Sequence, residues 1–378
     1  MSEHVYLDWN ATGKLRPQAH AAVVAALDVT GNPSSIHAAG RAARRLVEAA
    51  REQVAALVGA KPRQVVFTSG GTEANALALS PSLGGALLVS AIEHPSVRSG
   101  GRFPAVTELA VTPDGIVDLA PLATSLAGCP RPLVSLMLAN NETGVVQPIY
   151  EAARLVHAAG GLLHVDSVQG PGRIACDFKA LDADLMTLSG HKIGGPQGVG
   201  ALIVREGLNP APLTRGGGQE RGARPGTENV AAIAGFGAAA AAVAHAWKDE
   251  AAHMAGLRDT LEAGLKAVAP EVVIFGAGQP RLPNTTLFAV PGMKAETAVI
   301  AFDLDGGAVS SGAACSSGKV SPSHVLAAMG IELKLAQGAV RVSLGHTTTA
   351  RDVESFLNAW AKLSEGLYKS KKQTDIAA

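Results

Sequence analysis

The sequence predicts an α/β protein with a mainly parallel sheet in a large domain and a smaller α+β domain beside it. Three observations lead there. From about residue 65 to 205, short β-rich runs alternate with alanine-rich helical runs. A long alanine-rich stretch at 230–268 then reads as one or two helices leading out of that region. Beyond it, strand-like and helix-like runs are mixed, and no long Pro/Gly/Ser linker divides the chain. The second domain must therefore be built from segments that return to the first.

In order, strands are expected at 65–67, 86–90, 133–138, 162–165, 185–188 and 199–204, with helices at 72–79 and 150–159 between them. The remainder offers strands near 272–275 and 285–290 and helices near 295–302 and 351–367. The large domain is thus expected at residues 20–250. The small domain takes residues 251–378 together with 1–19, the N-terminal segment packing back onto it. The polar last residues, 369–378, are expected to fray.

Composition narrows the function classes. Lys plus Arg and Asp plus Glu balance at 32 each, which gives no electrostatic case for nucleic acid or a membrane surface. No apolar run approaches membrane-helix length, and the start lacks the pattern of a secretion signal. The three cysteines, Cys129, Cys176 and Cys315, form no disulfide framework, and no pair has metal-site spacing. A reduced, cytoplasmic protein without a bound metal is expected.

Five predicted strand ends carry polar groups, and ligands of open α/β sheets bind at such carboxyl ends. They are the 68–72 run with Gly71 and Thr72, Glu93-His94, Asn140-Asn141, Asp166, and the 189–192 run with Ser189, His191 and Lys192. A glycine turn opening a helix suits an anion, through free N–H groups and the helix dipole, although Gly-Gly alone is usually a tight turn. Lys192, just beyond an apolar strand and followed by glycines, is poorly explained as a solvated charge. A desolvated lysine amine loses its proton easily and forms Schiff bases. Asp166 could hold a protonated pyridine nitrogen, with Gln169 reaching the ring oxygen, or could cap the next helix; both readings are open. His94, before a proline, could stack on a ring and carry protons, although a lone histidine is more often merely packed.

Outside those strands, Cys315 sits among small residues in a glycine- and serine-rich run, 306–318, expected to be a mobile, exposed loop. Arg341 lies on an expected strand, where it needs a carboxylate partner. The glycine-rich 216–229 run ends at a helix start and could present Thr227 to a phosphate. For both of these, structural salt bridging is the plainer reading.

Taken together, the motifs resemble those of the cysteine desulfurases of the nitrogen-fixation and iron–sulfur assembly type. These belong to the fold-type I, class V aminotransferase-like enzymes that depend on pyridoxal 5'-phosphate. The resemblance runs in order through Tyr6-Leu-Asp-x-Asn-Ala-Thr12, Gly31-Asn-Pro-Ser-Ser-Ile-His37, Thr68-Ser-Gly-Gly-Thr-Glu-Ala-Asn75, Glu93-His-Pro-Ser-Val97 and Asn140-Asn-Glu-Thr-Gly144. It continues with His164-Val-Asp166, Ser189-Gly-His-Lys192, Gly216-Gly-Gly-Gln-Glu220, Arg281-Leu-Pro-Asn-Thr285, the Cys315 run with Ser321-Pro-Ser-His-Val325, and Arg341-Val-Ser-Leu344.

The resemblance implies a seven-stranded-type sheet and a division of labour. Lys192 would carry the cofactor, and Gly71, Thr72, Ser189 and His191 would bind its phosphate. His94 would stack on the ring, Asp166 would face the ring nitrogen, and Asn141 and Gln169 would sit near its hydroxyl. Thr227 would reach the phosphate from the partner subunit of a homodimer. Asn141 and Arg341 would bind the substrate, L-cysteine, the arginine through its carboxylate. Cys315 would take the sulfur as a persulfide for an acceptor such as an iron–sulfur scaffold protein, leaving L-alanine. Ala313 and Trp9 depart from the usual residues of the pattern. The alternatives are a selenocysteine lyase or another enzyme of the same fold and, outside that class, a cofactor-free thiol hydrolase pairing Cys315 with His324 or His346.

Overall fold

A computed structural model describes the backbone of residues 4–311, 315–316, 319–320 and 323–377, and the side chains of 4–311 and 323–366. The largest sheet has seven strands, in the spatial order Val65–Thr68, Gly200–Val204, Leu185–Ser189, Leu162–Asp166, Pro132–Met137, Ala86–Ser90 and Val106–Leu109. Only Gly200–Val204 runs against its neighbours; the other pairings are parallel. Val65–Thr68 and Leu185–Ser189 flank that reversed strand and so point the same way as the rest. Parallel strands covered on both faces read as continuous apolar runs, and Pro132–Met137 is buried along its whole length.

The six strands expected in this region lie within a residue or two of their expected bounds. Val106–Leu109 was not expected. It is an edge strand whose two middle residues, Thr107 and Glu108, are exposed, so no buried apolar run marks it. The Ile149–Ala158 helix turns Ile149, Ala152, Ala153 and Val156 onto the sheet, the spacing of one helical face.

Val230–Val268 is one continuous helix of 39 residues. Its glycines allow close packing: a Cβ at Gly237 would lie 2.5 Å from Ala50 Cα in the Ala38–Leu57 helix. Contrary to the expectation from the sequence, a stretch of this helix is long and apolar enough to cross a membrane. Half of that stretch is buried inside the protein, as in a core helix.

A second sheet has the order Ser310–Ser311, Val340–Ser343, Thr285–Ala289, Val273–Ile274 and is antiparallel throughout. Its core joins Leu7 to residues from Met254 onward, including Phe288, Phe302, Phe356 and Trp360. The N-terminal strand Val5–Tyr6 pairs with Gly307–Ala308, and Asp8 bridges to Ser343.

The 306–318 run, expected as a mobile, exposed loop, carries strand pieces: Gly307–Ala308, Ser310–Ser311 and Cys315–Ser316, the last pairing antiparallel with Lys319–Val320. The side chain of Cys315 and the residue Ala313 lie outside the described residues, and with them the expectation of an exposed thiol.

Candidate active site

The carboxyl ends of the parallel strands meet Asn10 and Ala11 of the N-terminal segment, and Ser310, Ser311, His324 and Arg341 of the second sheet's region, around a cavity of about 410 Å³. Gly71, Thr72, His94, Asn141, Asp166, Gln169, Ser189, His191 and Lys192 all line it. Of the site residues expected from the sequence whose side chains are described, only Thr227 is elsewhere. It is exposed, just before the Val230–Val268 helix that Asn229 caps.

At one end of the cavity, the Gly71–Ala78 helix points its first turn at Ser189 and His191, with Thr72 at its start. The Ser189 hydroxyl oxygen is buried and has no hydrogen-bond partner among the described residues. A phosphate accepting from that hydroxyl and from the helix N–H groups fits this end. His191 Nδ1 lies 3.1 Å from the Thr12 hydroxyl, and burial with the nearby Lys192 brings the imidazole down to about 4, so it is neutral at pH 7.

Asp166 ends its strand, but no helix follows it, so the helix-cap reading fails. One oxygen accepts from the Val168 N–H (3.1 Å) and the other from the Asn75 amide (2.8 Å). These two donors aim the carboxylate into the cavity, where a pyridinium nitrogen would complete its hydrogen bonds. Behind it, Glu93 is fully buried. Burial and the neighbouring Asp166 push its carboxyl well above its ordinary value, and it accepts from the Met137 N–H at 2.7 Å. His94 N-caps a short helix by accepting from the Ser96 N–H, and burial lowers its pKa.

Lys192 Nζ donates to the carbonyl oxygens of Asn10 (2.5 Å) and Ala11 (2.8 Å). Burial first, then the cations Arg173 and Arg341, bring its pKa down to about 7. A neutral amine has two N–H bonds, which these two carbonyls accept, leaving its lone pair free for bond formation. Gln169 donates to the same Asn10 carbonyl at 3.1 Å.

Arg341 finds the carboxylate its strand position demanded: it donates to Asp8 at 2.6 Å and to the Asn141 carbonyl at 3.0 Å. Its Nε has no partner among the described residues, which leaves one donor for an incoming carboxylate.

Several contributors had no signal in the sequence strong enough to single them out. Asn75 orients Asp166, and Asn10 supplies the carbonyl under Lys192. Glu142 is buried, which lifts its carboxyl to about 7, and it accepts a 2.5 Å hydrogen bond from the Ser323 hydroxyl. The next residue, His324, donates from Nε2 to the Glu93 carbonyl at 2.9 Å. These two bonds tie the chain just beyond the Cys315 hairpin to the strand ends.

His346 is not at this cavity: it packs edge-on against Trp9. Trp9 itself faces away from the cavity, stacked on Gly345, where a Cβ would lie 1.9 Å from the indole. That departure from the usual pattern alters packing and leaves the reacting groups alone.

A family model described as aminotransferase class-V matches residues 5–356 of the chain. A cysteine desulfurase of Cereibacter sphaeroides is 42% identical over 369 residues, covering 94% of each chain. The cysteine desulfurase IscS of Dictyoglomus turgidum is 37% identical, over 97% of this chain and 96% of its own. Among solved structures, a NifS-like protein from Rickettsia africae superposes with a TM-score of 0.89 at 39% identity, over 97% of this chain and all of its own.

Proposed function

The chain belongs to the class-V aminotransferase family and is a pyridoxal-phosphate-dependent cysteine desulfurase; we propose that Lys192 carries its cofactor and Cys315 receives the sulfur. The observation that carries this division is the convergence of the easily deprotonated Lys192 amine, the oriented Asp166 carboxylate and the anion-binding end in one cavity. When bound, the cofactor supplies an electron sink at the substrate's α-carbon.

The residues do the rest. Gly71, Thr72, Ser189 and His191 would hold the phosphate, Asp166 would keep the ring nitrogen protonated, and Gln169 and Asn141 would lie near the ring hydroxyl. Arg341 binds the carboxylate of L-cysteine. Lys192 would take the α-proton and move it within the cavity. The Cys315 thiolate attacks the substrate's sulfur: a sulfur–sulfur bond forms as the carbon–sulfur bond breaks, and its electron pair returns to the carbon skeleton. That skeleton takes up a proton and leaves as alanine, so the net reaction joins one thiol and one cysteine into alanine and an enzyme persulfide. The persulfide passes to an acceptor, and the motif resemblance favours an iron–sulfur scaffold protein. Incubation with L-cysteine and a reductant should give equimolar alanine and sulfide; alanine without sulfide would refute the reading.

Asp166→Asn tests the ring-nitrogen assignment. It keeps the Val168 and Asn75 neighbours but loses the charge, so loss of deuterium from Cα-deuterated cysteine should slow by about 1000-fold. Exchange at the wild-type rate would reduce Asp166 to a turn-closing residue.

We also propose a homodimer. Thr227 is a phosphate ligand by resemblance, yet it lies exposed and outside its own chain's cavity; a second subunit would bring it to the site. Sedimentation should show a dimer at assay concentrations. A fully active monomer would rule it out.

A further inference from the structure

Four arginines of the chain are buried: Arg16, Arg51, Arg173 and Arg341. Three have a carboxylate at 2.6–2.7 Å, respectively Glu250, Glu220 and Asp8. Arg173 has none among the described residues. Its guanidinium donates to neutral oxygens only: the Gln169 carbonyl (3.1 Å), the Gln169 amide oxygen and the Trp9 carbonyl (3.4 Å). A buried cation without a counter-ion is expensive, and a nearby acid would remove that cost. Its use follows from what surrounds it.

The geometry points to Arg173 as a positioning residue for Lys192: it locks the Gln169 amide onto the carbonyl that Lys192 also uses, and it leaves an unneutralised charge behind the amine. Arg173 takes the amide oxygen of Gln169, so the Gln169 NH2 must face the other way. One of its hydrogens goes to the Asn10 carbonyl at 3.1 Å, which also accepts from Lys192. Gln169 itself lines the main cavity. Without Arg173 the amide is free to flip and offer an acceptor instead.

The second role is electrostatic. Arg173 and Lys192 both line a small pocket of about 30 Å³ beside the main cavity, and Arg173 is buried, so the guanidinium's field reaches the amine largely through protein. After burial itself, Arg173 is the largest influence lowering the lysine, ahead of Arg341, while Asp8 and Asp166 oppose them. His94 and His191, also facing Lys192, are both lowered by burial and add no positive charge at neutral pH. A lysine neutral near pH 7 can attach a cofactor and take a proton; a fully charged one cannot.

The inference rests on Lys192 being the cofactor lysine, and the test separates the two. Competitive acetylation of the full chain stripped of cofactor, read peptide by peptide across pH, gives the titration midpoint of Lys192. Arg173→Gln removes the charge but keeps donors for the carbonyls. The midpoint should rise by about one unit or more. Arg173→Lys keeps the charge, so the midpoint should stay within a few tenths of wild type. It loses the fork on Gln169 and Trp9, so pyridoxal phosphate should bind several-fold more weakly. An unmoved midpoint in Arg173→Gln would overturn the inference. If Arg173→Gln fails to fold, Arg173→Lys decides: a raised midpoint there refutes the charge effect. Borohydride reduction of the holoenzyme that tagged a different lysine would sink the cofactor assignment instead, leaving the midpoint comparison as it stands.

Discussion

Lys192→Ala is expected to eliminate the borohydride-reducible cofactor linkage and to lower turnover of L-cysteine by at least about 10,000-fold. Both losses follow from one group. Burial and two arginines bring the amine's pKa down to about 7, so a large share is unprotonated at neutral pH, and two backbone carbonyls point its lone pair away from themselves. No other lysine among the described residues lines the main cavity. Removing the amine thus removes both the covalent attachment and the base for the α-proton. The wild-type protein makes a companion prediction with a definite sign. Reattachment of cofactor to the apoprotein needs the unprotonated amine, so its rate should climb as pH rises through about 7 and level off above it. Stopped-flow absorbance reads this directly. A variant that turns over cysteine at the wild-type rate, or a reattachment rate flat from pH 5 to 9, would disprove the assignment.

Cys315→Ala should separate binding from sulfur transfer. The variant should remain yellow and still change its spectrum on adding L-cysteine, because Lys192, Asp166 and Arg341 are intact. Sulfide and alanine release should fall to background. The other two thiols cannot substitute. Cys176 is buried against the large sheet's core, and burial pushes its thiol up to about 12, leaving almost no thiolate at neutral pH. Cys129 packs, half-buried, against the same core and does not line the cavity. In the wild-type protein, brief exposure to L-cysteine followed by alkylation and peptide mapping should place the extra sulfur on Cys315. Finding it on Cys129 or Cys176 would overturn the transfer step while leaving the cofactor site in place.

Most of the cavity was legible in the sequence, for a physical reason. Parallel strands buried on both faces are apolar, so a polar cluster that follows each one marks its carboxyl end. Gly71, His94, Asp166 and Lys192 are all of that kind. Val106–Leu109 was missed because an edge strand lacks the buried run. Arg173 and Asn75 were missed because they act through other residues, and nothing in a one-dimensional pattern tells which amide an arginine will hold. The bonds made by Glu142 and His324 needed the fold itself. They connect the strand ends to a segment some 180 to 230 positions further along the chain.

The N-terminal segment has a consequence for how the protein is made. Asn10 supplies the carbonyl on which Lys192 and Gln169 both rest, and its own N–H donates to the Ser343 hydroxyl. The strand just before it waits for Gly307–Ala308. At ribosomal speeds of about 5–20 residues per second, the segment around Asn10 spends roughly 20–70 s without these partners. The sheet bearing Asp166 and Lys192 is complete on the ribosome well before then. A cofactor arriving during translation would meet the phosphate end and the lysine, with the floor beneath that lysine still missing. Tight capture is thereby tied to synthesis of the chain through Ser343, and a ribosome stalled before that point presents a half-built site instead of a committed one.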